Sequence, residues 1–486
     1  MGIIIRQGIK NSIYSYSGFV LGALNTLLIM PRILEKSQIG LFNTLVAYSW
    51  IFATLLAVGI PQVIVRFYPK YKNNNSGNFL FTCLLSALST FSIAAILWLI
   101  FPDLFLSIVK NRESLFLENY HWVLWMAMGT LFFEIFTAIL KANFLTGPSI
   151  LLRELALRMF NLLIYFLYWK KWIDYSILVT LFALSYIGIF MILAAYLFQK
   201  KMLHLQPGIL KTEKKELAQY GMYSLTNAGI IYIVFQLDVV MLQNYRSLAD
   251  VALYTIALFA ATSITMPYRA MLAISQPLVA DAFQKNDMKS LAENYVKSSI
   301  NMLLIGGFLM ICLIHCIYDL KFFLPADYRT GIEQIVMILA LAKWVDMSTG
   351  FNGFLISQSS HYRFDILANA ILLVCAILAN ITFIPQYGIQ GAAYATLISL
   401  ILFNAIRLIY VYFKLKMSPF TKETLYGLGF LALLYSLGNF LPNLMHPMLN
   451  ILLKCTVFTI AFIAGVWLLP LSGDLKGLIK KILPKN

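Results

Sequence analysis

The chain is laid out as uncharged apolar runs close to twenty residues long, and this pattern limits its fold more than any motif does. Ser12–Met30 carries no charge, and neither does Leu41–Gln62. A run of about 20 apolar residues is the length a helix needs to cross the ~30 Å hydrocarbon layer of a bilayer. Inside that layer every backbone N–H and C=O must be satisfied within the protein, which leaves helices or a closed barrel. Barrel strands would alternate apolar and polar residues over about ten positions. Here the runs are continuous, so the segments are helices. Composition agrees: 60% of residues are hydrophobic, 12% are charged and the mean hydropathy is +0.78. Soluble domains hold about 45–50% apolar and about 25% charged residues. A soluble enzyme, a disordered scaffold and a nucleic-acid module are therefore excluded, despite a net charge of +16.

The expected fold class is an all-α polytopic membrane protein with fourteen transmembrane helices. They are expected over residues 12–30, 41–62, 79–101, 119–140, 150–169, 173–198 and 222–243. The others are 251–275, 296–318, 331–357, 364–384, 389–413, 424–441 and 448–470. The split between 364–384 and 389–413 rests on the turn signal Pro385-Gln386-Tyr387-Gly388. Lys and Arg accumulate on the cytoplasmic side of membrane proteins. With the N-terminus inside, 22 of the 37 Lys and Arg fall in inside segments and nine in outside segments. Both termini are thus expected in the cytoplasm.

Every loop is short, and the longest, around 199–221 and 276–295, leave no room for a soluble catalytic domain. No cleavable signal is apparent after Arg6 and Lys10. The sequence Gly-x-x-x-x-Gly-Lys-[Ser/Thr] is absent, so transport is expected to be passive or driven by an ion gradient or the membrane potential. No cofactor is expected, and H⁺ or Na⁺ remains open as the coupling ion. The five cysteines lie scattered in apolar runs and read as small buried residues. Cys312-Leu313-Ile314-His315-Cys316 lacks a Cys-x-x-Cys pair and a second ligand cluster, so no metal is expected there.

An internal repeat organises the helices. Ser37-Gln38-Ile39-Gly40-Leu41-Phe42 opens the second helix, and Ala249-Asp250-Val251-Ala252-Leu253-Tyr254 opens the eighth, 212 positions later. Gln62-Val63-Ile64-Val65 matches Gln276-Pro277-Leu278-Val279 at an offset of 214. The near-constant offset predicts a duplication of six helices. Six is even, so the halves are expected as parallel repeats related by an axis along the membrane normal. The predicted division is an N-terminal lobe, 1–205, and a C-terminal lobe, 206–416, followed by 417–486 with two added helices and a cytoplasmic tail.

This 6+6+2 plan resembles the multidrug/oligosaccharidyl-lipid/polysaccharide (MOP) flippase superfamily. The most family-like stretch holds Ile9-Lys10-Asn11-Ser12, Pro31-Arg32-Ile33-Leu34, Ile39-Gly40-Leu41-Phe42 and Gly59-Ile60-Pro61-Gln62, leading to Arg66-Phe67-Tyr68-Pro69-Lys70. It is similar to Wzx-type polysaccharide flippases. That resemblance implies a transporter, not an enzyme, in the bacterial inner membrane. It would move undecaprenyl-diphosphate-linked oligosaccharide by alternating access for surface polysaccharide or O-antigen synthesis. A polysaccharide polymerase or glycosyltransferase is the protein partner it implies. Lipid II flippases of the superfamily carry arginines in the first two helices, and this chain has none there. Drug exporters of the superfamily usually stop at twelve helices.

Charges deep in membrane helices cost several kcal/mol unless paired or hydrated, so each is a candidate. Lys343 and Asp346 share a helix face at i,i+3 spacing, as a phosphate contact with a tuning acid or as an internal ion pair. Asp238 is placed to take up a proton, bind Na⁺ or pair with a base. The resemblance implies that the seventh and eighth helices line the cavity, which makes Arg269 the leading phosphate ligand; its planar fork suits a diphosphate. Glu134, Arg153 and Arg158 are secondary candidates: Arg158 is expected to pair with Glu154, and Arg153 to snorkel. Snorkelling is also expected of Arg407 and Lys454. The six buried bases outnumber the four buried acids, which favours an anionic substrate over the cationic drugs of an ion-coupled exporter. A membrane glycosyltransferase or polymerase is disfavoured because the 102–118 loop shows no catalytic arrangement of its carboxylates.

Overall fold

The computed structural model describes residues 2–72, 75–208, 214–442, 444 and 446–482. Lys211 and Lys485, counted above among the cytoplasmic charges, lie outside the described residues. The described chain is helical, with no strand. Eleven of its helices are long and apolar enough to cross a membrane. Three further expected spans are helical but fall short of that standard. Residues 147–169 form one helix, but Arg153, Glu154 and Arg158 sit together within it. Lys422–Gly438 has only 17 residues. The span expected over 331–357 is two helices, Ile332–Ser348 and Asn352–Gln358, separated where Gly350 adopts φ +64°. The turn expected near Pro385 is confined to Gly388, between Arg363–Tyr387 and Ile389–Leu415.

The chain divides into two compact units, Met1–Thr255 and Ile256–Asn486. In the first, Trp122–Ala142 is the central helix. Its best apolar window is 78% buried, and it packs on Lys36–Ala57, Ile60–Tyr71 and Tyr175–Gln199. Ser76–Ile100 is equally apolar but only 17% buried, with Leu99 and Ile100 facing outward as a lipid-exposed surface would. Polarity therefore does not separate inside from outside here, because lipid and core are equally apolar.

Three turns of this unit widen into π-helix: Leu24–Ile29, Leu152–Ala156 and Leu225–Gly229. Such turns rotate the side chains that follow and recur at functional sites. Lys36–Ala57 ends at Val58 and Gly59, both left-handed at φ 45° and 71°. A new helix, Ile60–Tyr71, starts with Pro61 in its first turn.

In the second unit, Met288–Phe323 is the long central helix, packed by Ile332–Ser348, Lys422–Gly438 and Pro447–Leu468. Ile332–Ser348 also packs against Ile389–Leu415, which pairs with Arg363–Tyr387. A cluster of Val279, Leu291, Tyr295, Phe351, Leu355 and Val411 forms a core at one end of this unit.

Candidate functional site

The first unit contains a cavity of about 340 Å³ between Lys36–Ala57, Ile60–Tyr71, Trp122–Ala142 and Lys215–Tyr245. The break at Val58–Gly59 creates its wall. Had the helix continued, Pro61, Gln62 and Arg66 would follow a different axis; the break lets all three line the cavity. Gly59 is required there twice over. Its φ is positive, and a Cβ on it would stand 2.1 Å from the carbonyl oxygen of Gly221.

Arg66 and Lys141 line this cavity with exposed side chains. The Arg66 guanidinium lies 4.4 Å from the centre of the Tyr220 ring, a cation–π arrangement that orients the fork. Trp50 and Tyr232, also lining residues, stack at 6.2 Å with their planes 17° apart. Glu134 is the cavity's carboxylate, and Arg153 hydrogen-bonds it from the π turn Leu152–Ala156. Arg153 also lies over the rings of Trp50 at 5.4 Å and Phe133 at 5.0 Å. Snorkelling is thus overturned for Arg153: a carboxylate and two aromatic faces hold it inward. Arg158 pairs with Glu154 at 2.9 Å as the spacing required, and it also donates to the Gly18 carbonyl. Asp238 accepts a hydrogen bond of 2.8 Å from the buried hydroxyl of Tyr254.

Around Asp346, Arg407 and Lys454 the second unit holds buried polar networks. Asp346 accepts a 2.9 Å hydrogen bond from Asn404, whose amide oxygen accepts in turn from Thr349 and Asn352. Arg407, on the same helix as Asn404, pairs with Asp365 at 2.6 Å and also donates to Asn369. Lys454 pairs with Asp319 at 2.7 Å, and Asn450 donates to the same carboxylate. Arg407 and Lys454 therefore do not snorkel. Each neutralises an acid that would otherwise stand alone in a low-dielectric interior. Lys343 is half-buried and Arg269 is exposed. Cys316 approaches Cys455 at 3.8 Å between their sulfurs, and the His315 ring nitrogen Nδ1 contacts the Ile311 carbonyl.

No family model and no curated protein sequence matches the chain. Solved structures do. A lipid II flippase, MurJ, in an inward closed conformation superposes with a TM-score of 0.70 at 17% identity, covering 94% of this chain and 98% of that one. An inward-facing multidrug-resistance MATE transporter of the MOP superfamily gives 0.64 at 13% identity, covering 83% and 98%. A MOP superfamily transporter from Pyrococcus furiosus, described as having a binding pocket of reversed polarity, gives 0.56 at 14%, covering 85% and 95%. The chain shares the fold of these MurJ and MATE structures.

Within the first unit of this MOP-type fold, Glu134 and Arg153 come together at the cavity, while Arg158 and Asp238 are engaged by other partners. In the second unit, Asp346 belongs to the Asn404 network. Reading the sequence did not single out Arg66, Lys141, Trp50 and Tyr232. Arg66 and Lys141 stand at the ends of expected spans, where orientation charges also accumulate, and a lipid-facing ring has the same sequence signature as a cavity-lining one. The signal that was available is Gly59-Ile60-Pro61, a helix break just before Arg66.

Proposed function

We propose that the chain is a flippase that moves undecaprenyl-diphosphate-linked oligosaccharide across the bacterial inner membrane by alternating access, supplying surface polysaccharide or O-antigen assembly. The observation carrying this reading is the first-unit cavity, with Arg66 and Lys141 beside a stacked Trp50–Tyr232 pair. A diphosphate asks for fixed cations, and arginine's fork donates two hydrogen bonds at once. A sugar ring presents C–H faces that pack on aromatic rings, and Trp50 and Tyr232 offer them at the same wall. The polyprenyl tail would remain in lipid. Glu134 is neutralised by Arg153, so the cavity's free charge is positive and suits an anion better than a cationic drug.

In the second unit, Arg269 and Lys343 are proposed as further phosphate contacts; Asp346 in that unit and Asp238 in the first are proposed as candidate sites for a coupling H⁺ or Na⁺. Both termini are placed in the cytoplasm by the distribution of Lys and Arg, and fourteen spans and the six-helix repeat belong to the same reading. A glycosyltransferase or polymerase would act on the same lipid.

The deciding experiment is conditional depletion of the protein followed by mass spectrometry of inner-leaflet lipid carriers. Accumulation of an undecaprenyl-diphosphate oligosaccharide is expected. Accumulation of lipid II instead would move the assignment to peptidoglycan precursor. Unchanged carriers with lost drug resistance would move it to an exporter.

A further inference from the structure

The helix Gly473–Ile482 follows directly on the candidate membrane span Pro447–Leu468. At 100° per residue its sequence sets Leu475, Leu478 and Ile479 on one side, with Lys476 and Lys480 along one flank and Lys481 along the other. This is the pattern of a helix lying in the plane of a membrane surface. Its position agrees. Trp467, one residue from the end of the preceding span, is partly exposed, and tryptophan concentrates at the headgroup level of a bilayer. The ammonium groups of Lys476 and Lys480 stand 5.8 and 6.0 Å from the centre of that Trp467 ring. With Trp467 at the headgroup level, both ammonium groups would stand within reach of headgroup phosphates.

The helix is also anchored to the protein. Leu471 and Leu475 are buried, Ser472 donates to Asn301 at 2.5 Å, and Asn301 donates to Asp474 at 3.1 Å. That hydrogen bond does not cancel the charge of Asp474, so three lysines against one acid leave the segment a net charge of +2. Leu478, on the apolar side, remains 54% exposed. Nothing in the transport reading uses this helix.

We propose that Gly473–Ile482 is a docking surface for anionic phospholipid headgroups, with Lys476 and Lys480 on the phosphates and Leu478 at the acyl boundary. Each lysine held at an anionic surface strengthens the contact by about fivefold, and the effect is screened by salt.

The test uses the full-length protein in nanodiscs of phosphatidylcholine with or without phosphatidylglycerol, followed by hydrogen–deuterium exchange. The amides of 473–482 are expected to exchange roughly tenfold or more slowly when phosphatidylglycerol is present. The triple substitution K476Q/K480Q/K481Q should abolish that difference while leaving the Pro447–Leu468 amides unchanged. Should the triple variant disturb the preceding helix, Lys480→Gln alone, whose side chain is exposed, should reduce the difference several-fold. Equal exchange in both lipids, or a difference that survives Lys480→Gln and the triple substitution, would overturn the proposal. So would equal protection by inorganic phosphate added to phosphatidylcholine discs, which would mark an anion site and not a membrane contact.

Discussion

Gly59 and Gly221 cross with their backbones in contact. A Cβ on Gly59 would stand 2.1 Å from the Gly221 carbonyl oxygen, and a Cβ on Gly221 would stand 2.7 Å from the Val58 carbonyl oxygen. Neither clash can be relieved by moving a flexible side chain, since both contacts are with backbone. The crossing brings Lys215–Tyr245 against the break that turns Arg66 into the cavity.

Gly59→Ala is accordingly expected to cost at least about 2 kcal/mol, from the left-handed φ and the overpacking together. Gly188→Ala is the control, because nothing lies within 4 Å of its would-be Cβ. Thermal unfolding in detergent should show a clear drop for the first and none for the second. Equal midpoints would mean that the crossing is not tight.

Arg66→Ala and Lys141→Ala should each lower transport of the lipid-linked sugar by roughly ten- to a hundredfold, the loss expected for a hydrogen bond to a charged group. Arg66→Lys should recover only part of it, because an ammonium cannot make the forked contact. Vesicle flipping assays on variants with wild-type unfolding midpoints make the comparison. Full activity in both alanine variants would remove them from the substrate path.

Trp50→Ala is predicted to separate sugar from phosphate. The Trp50 ring stacks with Tyr232 and also lies against the Arg153 guanidinium. Its loss should weaken binding of the glycosylated lipid by roughly two- to tenfold, because an aromatic contact contributes about 0.5–1.5 kcal/mol beyond area, and should leave that of the bare polyprenyl diphosphate unchanged. A matched loss for both ligands would contradict a role in sugar contact.

Lys454→Ala should destabilise the protein by about 3–5 kcal/mol, because it leaves the Asp319 carboxylate buried without its cation. Removing both charges, as K454M/D319L, should restore most of the midpoint. A double variant as unstable as the single one would show that the pair is not what holds Met288–Phe323 to Pro447–Leu468.

The membrane class and the helical runs were legible from apolar length alone, because a bilayer demands about 20 residues whatever they pack against. The Glu154–Arg158 pair was legible for a similar reason: its partners lie on one helix, where spacing dictates contact. Arg153, Arg407 and Lys454 were misread because their partners, Glu134, Asp365 and Asp319, come from other helices. A base near a helix end looks the same in sequence whether it reaches for water or for a carboxylate. The π turn that carries Arg153 has no residue signature at all.

The sequence by itself determined that this chain spans a membrane many times and which stretches are helical, since those are properties of length, hydropathy and local hydrogen bonding. Its distribution of Lys and Arg carries the orientation signal. Only the tertiary structure decided which buried charges are neutralised and which line a cavity. In an apolar solvent the lipid-facing and core-facing sides of a helix share the same composition, so hydropathy carries no record of which face meets which neighbour. That information lies in a few close approaches, such as Gly59 on Gly221, whose effect appears only when distant segments meet.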